Sequence, residues 1–313
     1  CSISKLFTSI SVMQLRDAGK LRLRDPVSDY LDWFDIEQVH DDSGPITIES
    51  MLTHSSGMPR EAGVPYWTGP DFPFPTREQM IARLQNQRTL YPAQDRFQYS
   101  NLAMSVAGEI VREESGEEFA VYVKLNILDP LSMNDTRAYY PEELRGEQLA
   151  IGYSGMERSG TRVPVDPFFT RAITAAAGMT STVNDLAKFA SWQFRLLRNG
   201  GKEVLDKFTL REMHRVHWLD PDWETTWGIG FRVWEVDGVT TIGHDGGCPG
   251  YITDLRMIPK EKVASIVLTN AGDSEATRLS ANVLKVITAA LKEPEAPSGK
   301  QMPDFSKYEG NYG

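Results

Sequence analysis

The chain has 313 residues, of which 41% are hydrophobic and 24% are charged, and its formal net charge at pH 7 is −10. This composition is typical of a globular protein, and the negative charge argues against nucleic acid as a partner because no cluster of Lys or Arg offsets it. No apolar run approaches the roughly 20 residues that cross a bilayer, and the distant Cys1 and Cys248 match no metal-site spacing. We therefore predict no membrane span, no metal or other cofactor, and no nucleic-acid partner.

The first two thirds of the chain are predicted to be mainly helical. Apolar residues at helical spacing predict a first helix over 2–18, and Pro26 is placed to start a short helix. The segment 60–75 is rich in Pro, Gly and aromatic residues and predicts a long irregular loop. Further helices are predicted at 48–53, at 77–87 behind a capping box, at 100–115 with Ser100 or Asn101 as the cap, at 117–128 and at 180–199.

The last third changes to strands. Four short runs separated by turn residues, within 227–270, predict an antiparallel meander, and a long amphipathic helix follows over 273–292. Residues 293–313 have the composition of a linker and the start of a C-terminal segment. The run 263–270 is apolar throughout, as in a strand covered on both faces, although few predicted strands can flank it. Two interpretations stay open: either the sheet is small, or strands from before residue 1 or from another chain complete it.

Together these elements predict an α/β (α+β) fold, in which an antiparallel sheet is flanked by helices and an all-helical subdomain is added. The α/β domain is predicted to comprise 1–45 and 172–292. The helical subdomain, with loops that face the substrate, is predicted to comprise 46–171.

Ser2 and Lys5 form the only Ser-x-x-Lys of the chain and place a hydroxyl and an amine on one face of the first helical turn. Alone, this pair is better explained by a helix cap followed by a solvated lysine. Two later motifs favour a catalytic site, namely Tyr99-Ser-Asn101 and His244-Asp-Gly246. Each of these would also have a structural explanation by itself, so the prediction depends on their combination.

With these three motifs the chain resembles the serine β-lactamase and penicillin-binding-protein superfamily, whose signature is S-x-x-K, S-D-N and K-T-G. It is most similar to the class C-like branch of esterases, D-amino-acid peptidases and β-lactamase-related hydrolases, in which Y-x-N replaces S-D-N. The likeness runs from Cys1 to about residue 292. It implies a β-lactamase/transpeptidase-like fold whose sheet begins with strands upstream of the nucleophile helix, and it suggests a bacterial periplasmic or secreted setting, although the compartment stays undetermined.

The resemblance also implies a role for each motif residue. Ser2 would attack a carbonyl to form an acyl-enzyme, and either Lys5 or Tyr99 would take the serine proton, a choice that the sequence leaves open. Asn101 would accept a hydrogen bond from Lys5 and donate one to the substrate. The backbone N–H groups of Ser2 and Gly247 would form the oxyanion hole.

His244 departs from the superfamily pattern because it stands where a lysine is usual. A histidine carries its positive charge only partly at neutral pH, so this exchange favours an esterase or peptidase over an efficient β-lactamase. Gly246 is predicted to let the strand backbone approach the substrate. Aromatic residues of the loops, Tyr66, Trp67 and Phe168, are predicted to line the substrate cleft.

The leading prediction is a serine hydrolase that forms an acyl-Ser2 intermediate on a small-molecule ester, amide or peptide. Carboxylesterase, D-amino-acid peptidase and weak β-lactamase activity remain open, and the alternative is a true class C-like β-lactamase or penicillin-binding protein. A hydrolase that uses a self-processed Cys1 as its nucleophile is a third hypothesis. The fourth is a non-catalytic scaffold or binding protein that retains the fold.

Overall fold

The computed structural model describes residues 1–63, 65–236 and 238–292. Its helices are α1 (Ser4–Asp17), α2 (Ile48–Leu52), α3 (Arg77–Leu84), α4 (Asn101–Ser115), α5 (Phe119–Val123), α6 (Thr174–Ala177), α7 (Val183–Asn199), α8 (Lys207–Met213) and α9 (Ala276–Lys292). Its strands are β1 (Lys202–Glu203), β2 (Leu205–Asp206), β3 (Trp218–Leu219), β4 (Thr226–Trp227), β5 (Arg232–Val236), β6 (Val239–Cys248), β7 (Tyr251–Ile258) and β8 (Val263–Thr269). The linker and C-terminal segment expected at 293–313 lie outside the described residues.

The sheet confirms the predicted α/β fold and the antiparallel meander. Strands β3 to β8 lie in sequential order, and each pairs antiparallel with the next, whereas β1 and β2 form a separate hairpin. The register of β6 and β7 places His244 opposite Leu255 and Gly246 opposite Thr253. The pairing of β5 with β6 ends at Gly243, so the His-Asp-Gly motif lies on the part of β6 that extends past β5 and is paired with β7 alone.

Both faces of strand β8 are covered, as predicted: Ala264, Ile266 and Leu268 pack against the hydrophobic core, and Ser265 on the other face contacts Ser280 of α9 at 3.0 Å. Within the described residues β8 is the edge strand of the sheet, and it packs against α9 and α7. Only Ser265 of β8 is buried, and its other residues are half-buried. The apolar sequence of β8 thus exceeds its burial, because its outer edge has no pairing partner within the described ranges.

Helix α1 is enclosed by the rest of the fold. Leu6, Phe7, Ile10 and Met13 are fully buried, and α4 and α6 pack against the helix. Five of its polar side chains, Ser4, Lys5, Thr8, Ser9 and Ser11, are buried as well, and the Thr8 hydroxyl donates to the Ala175 carbonyl at 2.6 Å. The first three turns of the helix are buried on all sides and form a rigid support, so the residues at its N-terminus are held by the centre of the domain.

Helix α4 begins next to α1, and the structure shows which of the two predicted residues, Ser100 or Asn101, is its cap. Ser100 is the N-cap, and its hydroxyl accepts the Ala103 N–H at 2.9 Å. The helix then passes so close to α6 that a Cβ on Gly108 would lie 2.4 Å from the Ala175 Cβ. This close packing brings the carbonyl of Ala176 to the side of α1.

Other elements follow the predictions with smaller differences. The capping box before α3 is present, and α2, α7 and α9 lie where helices are predicted. The helix predicted at 117–128 is α5 followed by a π-helical turn, Lys124–Leu128. Helix α8 is not predicted, although its cap Asp206, which accepts the Phe208 N–H at 2.7 Å, is a recognisable start signal. Of the helices described, none combines the length and the hydropathy that a membrane crossing requires.

Candidate active site

Ser2 lies in the tight turn that begins α1. The Ser4 N–H donates to the Cys1 carbonyl at 2.8 Å, and the Lys5 N–H donates to the Ser2 carbonyl at 3.0 Å. This turn stacks the Lys5 side chain under Ser2, as the three-residue spacing predicts. The distance from Lys5 Nζ to Ser2 Oγ is 3.2 Å.

Lys5 is fully buried, and polar oxygen atoms surround its amine. Besides Ser2 Oγ, Nζ contacts Asn101 Oδ1 at 2.8 Å and the Ala176 carbonyl at 2.8 Å. Burial lowers the pKa of Lys5 to about 7, against the opposing effect of the Glu61 carboxylate. In the neutral form, two N–H groups satisfy the amide and carbonyl oxygens, and the lone pair is left facing Ser2 Oγ. The geometry therefore suits an amine that removes a proton from the serine.

Asn101 has a fixed amide orientation. Its Oδ1 accepts from Lys5, and its Nδ2 donates to Glu61 Oε1 at 2.7 Å. The carboxylate accepts only from a donor, so the nitrogen of the amide must face Glu61 and the oxygen must face Lys5. The Asn101 backbone N–H donates to the Arg60 carbonyl at 2.8 Å, which ties the loop carrying Arg60 to the start of α4.

Tyr99 lies beside the same amine as a hydrogen-bond donor. The Lys5 Nζ is 4.8 Å from the centre of its ring, and its hydroxyl is 3.4 Å from His244 Nε2. Burial raises the pKa of Tyr99, and a hydrogen bond with the Ser2 hydroxyl only partly opposes this. The phenol therefore keeps its proton at neutral pH.

His54 supports the segment that carries Tyr99. It is fully buried, and its Nδ1 accepts the Ser100 N–H at 3.2 Å while its carbonyl accepts the Gln98 N–H at 2.6 Å. Its ring lies 4.2 Å from that of Tyr99, centre to centre. These contacts of His54 hold the backbone on both sides of Tyr99 and pack against its ring, so they fix its orientation.

His244 is neutral in this site. Its side chain is 3% exposed, and burial together with the charge of Lys5 lowers its pKa to about 4. Its Nδ1 donates to the Asp245 carbonyl at 2.6 Å, which leaves Nε2 as an acceptor for the Tyr99 hydroxyl. A neutral histidine carries no positive charge at pH 7, so His244 does not supply the cation that a lysine at this position would supply.

Gly246 brings β6 against the serine. A Cβ at this position would lie 2.6 Å from Thr253 Oγ1 and 3.2 Å from the Ser2 nitrogen. The neighbouring Gly247 is exposed, and the Ser2 N–H makes no hydrogen bond within the part of the chain that is described. These contacts are compatible with an oxyanion hole at Ser2 and Gly247, which remains a prediction.

Gly246→Ala is expected to lower kcat/KM by about 100-fold, because the added methyl group pushes β6 away from Ser2 and small misplacements at a reacting centre have effects of this size. Steady-state hydrolysis of an activated ester measures the loss. Gly44→Ala is the matched control, since a Cβ at Gly44 meets no atom within 4 Å. Wild-type kcat/KM in Gly246→Ala would show that the close approach of β6 is not needed.

Ser2 opens into a cleft of about 500 Å³. The cleft is lined by Ser2, Arg60, Phe97, Tyr99, Thr225, Thr226, Trp227, Arg232, His244, Asp245 and Gly247. Two of these residues, Arg60 and Arg232, were not predicted from the sequence. Arg232 lies opposite Gly243 in the register of β5 and β6, so strand pairing places it beside the His-Asp-Gly motif. Nothing in the sequence marks Arg60, which belongs to an irregular loop.

The predicted aromatic lining is placed elsewhere. Tyr66 is fully buried and packs with Trp67 and Phe74, at ring-centre distances of 5.7 and 5.0 Å, and neither Tyr66 nor Trp67 lines the cleft. The Tyr66 hydroxyl donates instead to the Glu61 carboxylate. Phe168 lines a second, mainly apolar cavity of about 370 Å³, which Cys1 also lines. In the described ranges, no group of three or more His, Cys, Asp or Glu side chains is arranged to hold a metal ion.

Comparisons with known proteins give matches over most of the chain. A family model described as Beta-lactamase matches residues 1–290. Beta-lactamase-like protein 2 of Dictyostelium discoideum is 27% identical over 270 residues, which cover 85% of this chain and 48% of that protein. The D-alanyl-D-alanine-carboxypeptidase/endopeptidase AmpH of Escherichia coli (strain K12) is 26% identical over 275 residues, which cover 85% of this chain and 69% of AmpH.

A solved structure matches in fold as well as in sequence. The octameric penicillin-binding protein homologue from Pyrococcus abyssi superposes with a TM-score of 0.77 at 27% identity, over 92% of this chain and 65% of that chain. The chain therefore spans 48% of the length of the Dictyostelium relative and 65% of the Pyrococcus protein.

Proposed function

The chain belongs to the Beta-lactamase family, and from this premise we propose that it is a serine hydrolase that forms an acyl-Ser2 intermediate on ester or amide substrates. The observation that carries the proposal is the environment of Lys5. Its buried amine lies 3.2 Å from Ser2 Oγ and has a pKa lowered to about 7 by burial. Such an amine is neutral often enough at pH 7 to act as a general base.

In the acylation step, neutral Lys5 takes the proton of Ser2 while Oγ attacks the substrate carbonyl carbon. The negative charge that develops on the carbonyl oxygen is stabilised by the N–H groups of Ser2 and Gly247. Collapse of this intermediate breaks the ester or amide bond, and the ammonium of Lys5 returns a proton to the leaving group, directly or through the hydroxyl of Tyr99. Between the two candidate bases we choose Lys5, because burial raises the pKa of Tyr99.

In the deacylation step, Lys5 is neutral again and takes a proton from a water molecule that attacks the acyl-Ser2 carbonyl. The same N–H groups stabilise the second oxyanion, and the proton returns to Ser2 Oγ as the acid product leaves. The Tyr99 hydroxyl, which donates toward His244 Nε2, keeps its position in both steps. His244 thus acts as a neutral acceptor that orients Tyr99.

The substrate that we propose is a small carboxyl ester or a D-amino-acid amide or peptide. The E. coli relative carries the name of a D-alanyl-D-alanine carboxypeptidase, which supports the peptide assignment. Arg60 and Arg232 line the cleft and are the cations available to a substrate carboxylate, since His244 is neutral. Efficient β-lactamase activity is disfavoured because His244 stands where the K-T-G motif of the superfamily has a lysine.

A Cys1 nucleophile and a non-catalytic scaffold both find less support than acyl-Ser2 chemistry. Cys1 Sγ donates to the Gly247 carbonyl at 3.0 Å, and among the described residues no base contacts it, so Ser2 is the better nucleophile. A non-catalytic scaffold would bury a lysine amine without benefit, and burial of a charged amine is costly unless it is paired. The assembled contacts of Ser2, Lys5 and Asn101 therefore favour an enzyme.

A substrate panel tests this proposal. The purified protein is incubated with p-nitrophenyl esters, D-alanyl p-nitroanilide, a D-alanyl-D-alanine peptide and nitrocefin, and intact and peptide mass spectra are recorded. We expect turnover of the ester or the D-amino-acid substrates, an acyl adduct on the peptide containing Ser2, and slow nitrocefin hydrolysis. Absence of both turnover and any Ser2 adduct would overturn the proposal, and rapid nitrocefin hydrolysis would favour a true β-lactamase.

A further inference from the structure

Glu61 is a charged side chain next to the proposed catalytic centre, and the proposed mechanism does not use it. It follows Arg60, whose carbonyl accepts the N–H groups of both Asn101 and Leu102, at 2.8 and 3.2 Å. These two bonds hold the start of the 60–75 loop on the N-terminus of α4. Because the backbone is held there, the carboxylate of Glu61 reaches the back of Asn101. Its side chain is 22% exposed.

The two carboxylate oxygens of Glu61 have separate partners. Oε1 accepts the Nδ2–H of Asn101 at 2.7 Å, and Oε2 accepts the hydroxyl of Tyr66. The Tyr66 ring is fully buried and packs with Trp67 and Phe74, so its hydroxyl is a fixed donor. A carboxylate held at both oxygens has little rotational freedom, and its position then determines that of its partners.

These bonds form a continuous chain from the aromatic cluster to the nucleophile. Tyr66 donates to Glu61, Asn101 donates to Glu61, Lys5 donates to Asn101, and the amine of Lys5 meets Ser2 Oγ. We propose that Glu61 is a positioning residue of this centre: it fixes the amide of Asn101 with its oxygen toward Lys5 and places a negative charge opposite the Lys5 amine. The proposal rests on the proposed function, in which Lys5 is the base that serves Ser2.

Electrostatics supports the second part of this role. Burial is the main influence on the pKa of Lys5 and lowers it, whereas the charges of Glu61 and Asp245 raise it and that of Arg60 lowers it. The titratable and charged groups that face Lys5 are Glu61, Arg60, Asp245, His54, His244 and Tyr99. Because the charge of Glu61 raises the pKa of Lys5, its removal should lower that pKa and make the amine a weaker base.

Glu61→Gln keeps the size of the side chain and an oxygen for Asn101 but removes the charge. We expect the titration of Lys5, followed by NMR of ¹³C-labelled lysine Cε, to move down by about 1 pH unit. Since Lys5 acts when neutral, the acid limb of the kcat/KM profile should move down with it. The plateau should fall by about 10-fold, because a less basic amine removes the serine proton less effectively.

Glu61→Asp separates position from charge. It keeps the charge but withdraws the carboxylate by one methylene group from Asn101. We expect an acid limb close to that of the wild type, together with a kcat about 10-fold lower, because the hydrogen bond that holds the amide is lost. An acid limb that shifts in Glu61→Gln but not in Glu61→Asp, together with a loss of rate in both variants, would support both parts of the proposal.

Glu49→Gln is the matched control. Its side chain is 25% exposed, similar to Glu61, and its partners are His217 and Arg24 rather than residues of the cleft. We expect its Lys5 titration and its acid limb to equal those of the wild type. An unchanged Lys5 titration in Glu61→Gln, or an equal shift in Glu49→Gln, would overturn the proposal.

The NMR titration also separates this proposal from the proposed function, because it needs no turnover. If the wild type hydrolyses no substrate and Ser2 is never acylated, the proposed function fails, while a Lys5 titration that responds to Glu61→Gln still supports the role of Glu61. If the wild type is active and Lys5 does not respond, only the role of Glu61 fails. Thermal melting of each variant verifies that it is folded under the conditions used.

Discussion

Ser2→Ala is expected to lower kcat/KM by roughly 10⁵- to 10⁶-fold, a loss of the size seen when the nucleophile of a serine hydrolase is removed. Without Oγ no acyl-enzyme forms, so the mass spectra should also show no adduct on the peptide containing residue 2. Folding should be nearly unaffected, because Lys5 keeps its contacts to Asn101 and Ala176. Ester hydrolysis and mass spectrometry together measure the effect.

Ser9→Ala is the control for this experiment. Ser9 is a buried serine of α1, and its hydroxyl has no hydrogen-bond partner within the described ranges. Its removal should leave activity at the wild-type level and should not lower stability. If Ser2→Ala retained a tenth or more of the wild-type activity, acyl-Ser2 would be wrong, and Cys1→Ala would then test the remaining nucleophile.

Lys5→Met is expected to lower kcat/KM by about 10²- to 10⁴-fold, the range that a general base contributes. In the wild type, kcat/KM should rise with pH through about 7, because burial lowers the pKa of Lys5 to that value and the neutral amine is the active form. Methionine fills a similar volume but cannot accept a proton, so this limb should disappear from the profile. Rates measured from pH 5 to pH 9 test both expectations.

Stability gives an independent readout of the same lysine. The pKa of Lys5 is lowered from 10.5 to about 7, so between these values the unfolded chain binds a proton that the folded chain has lost. The contribution of Lys5 to stability is therefore complete above the unfolded pKa and declines as the pH falls toward the folded pKa. Lys5→Met should remove this slope and raise the melting temperature most at and below pH 7.

Lys124→Met is the control for both measurements. Lys124 is an exposed lysine that pairs with Asp129 at 2.7 Å, and its amine does not contact the cleft. It should retain the wild-type pH profile and the wild-type dependence of stability on pH. A Lys5→Met variant that kept the rise through pH 7 would show that another group is the base.

The elements and motifs near α1 could be predicted because they depend on local patterns. The periodicity of the first 18 residues, the cap at Ser100 or Asn101 and the turn signals between the strands each specify a short stretch of chain, and the structure confirms them, with Ser100 as the cap. Spacing alone predicts that Ser2 and Lys5 share a helix face. That Tyr99 and His244 meet there rests on family resemblance, since no local rule brings together residues 145 positions apart.

The surroundings of the site could not be predicted because loop residues carry no period. Tyr66 and Trp67 are as aromatic as cleft residues would be, and only the packing of the 60–75 loop decides that they face the interior. The same loop turns Glu61 toward Asn101 and leaves Arg60 in the cleft. These positions depend on where the loop backbone is held by α4, which is a property of the folded chain.

The enclosure of α1 also limits how the proposed activity can diversify. A substitution that changes the volume of one of the buried apolar side chains of α1 disturbs packing in the centre of the domain, so we do not expect new substrate preferences to be reached by changing α1. The wall of the cleft is not buried as α1 is, because the side chains of Arg232 and Arg60 are exposed to solvent. Directed evolution toward other acyl donors should therefore concentrate its libraries on this outer wall and leave the helix that carries the nucleophile untouched.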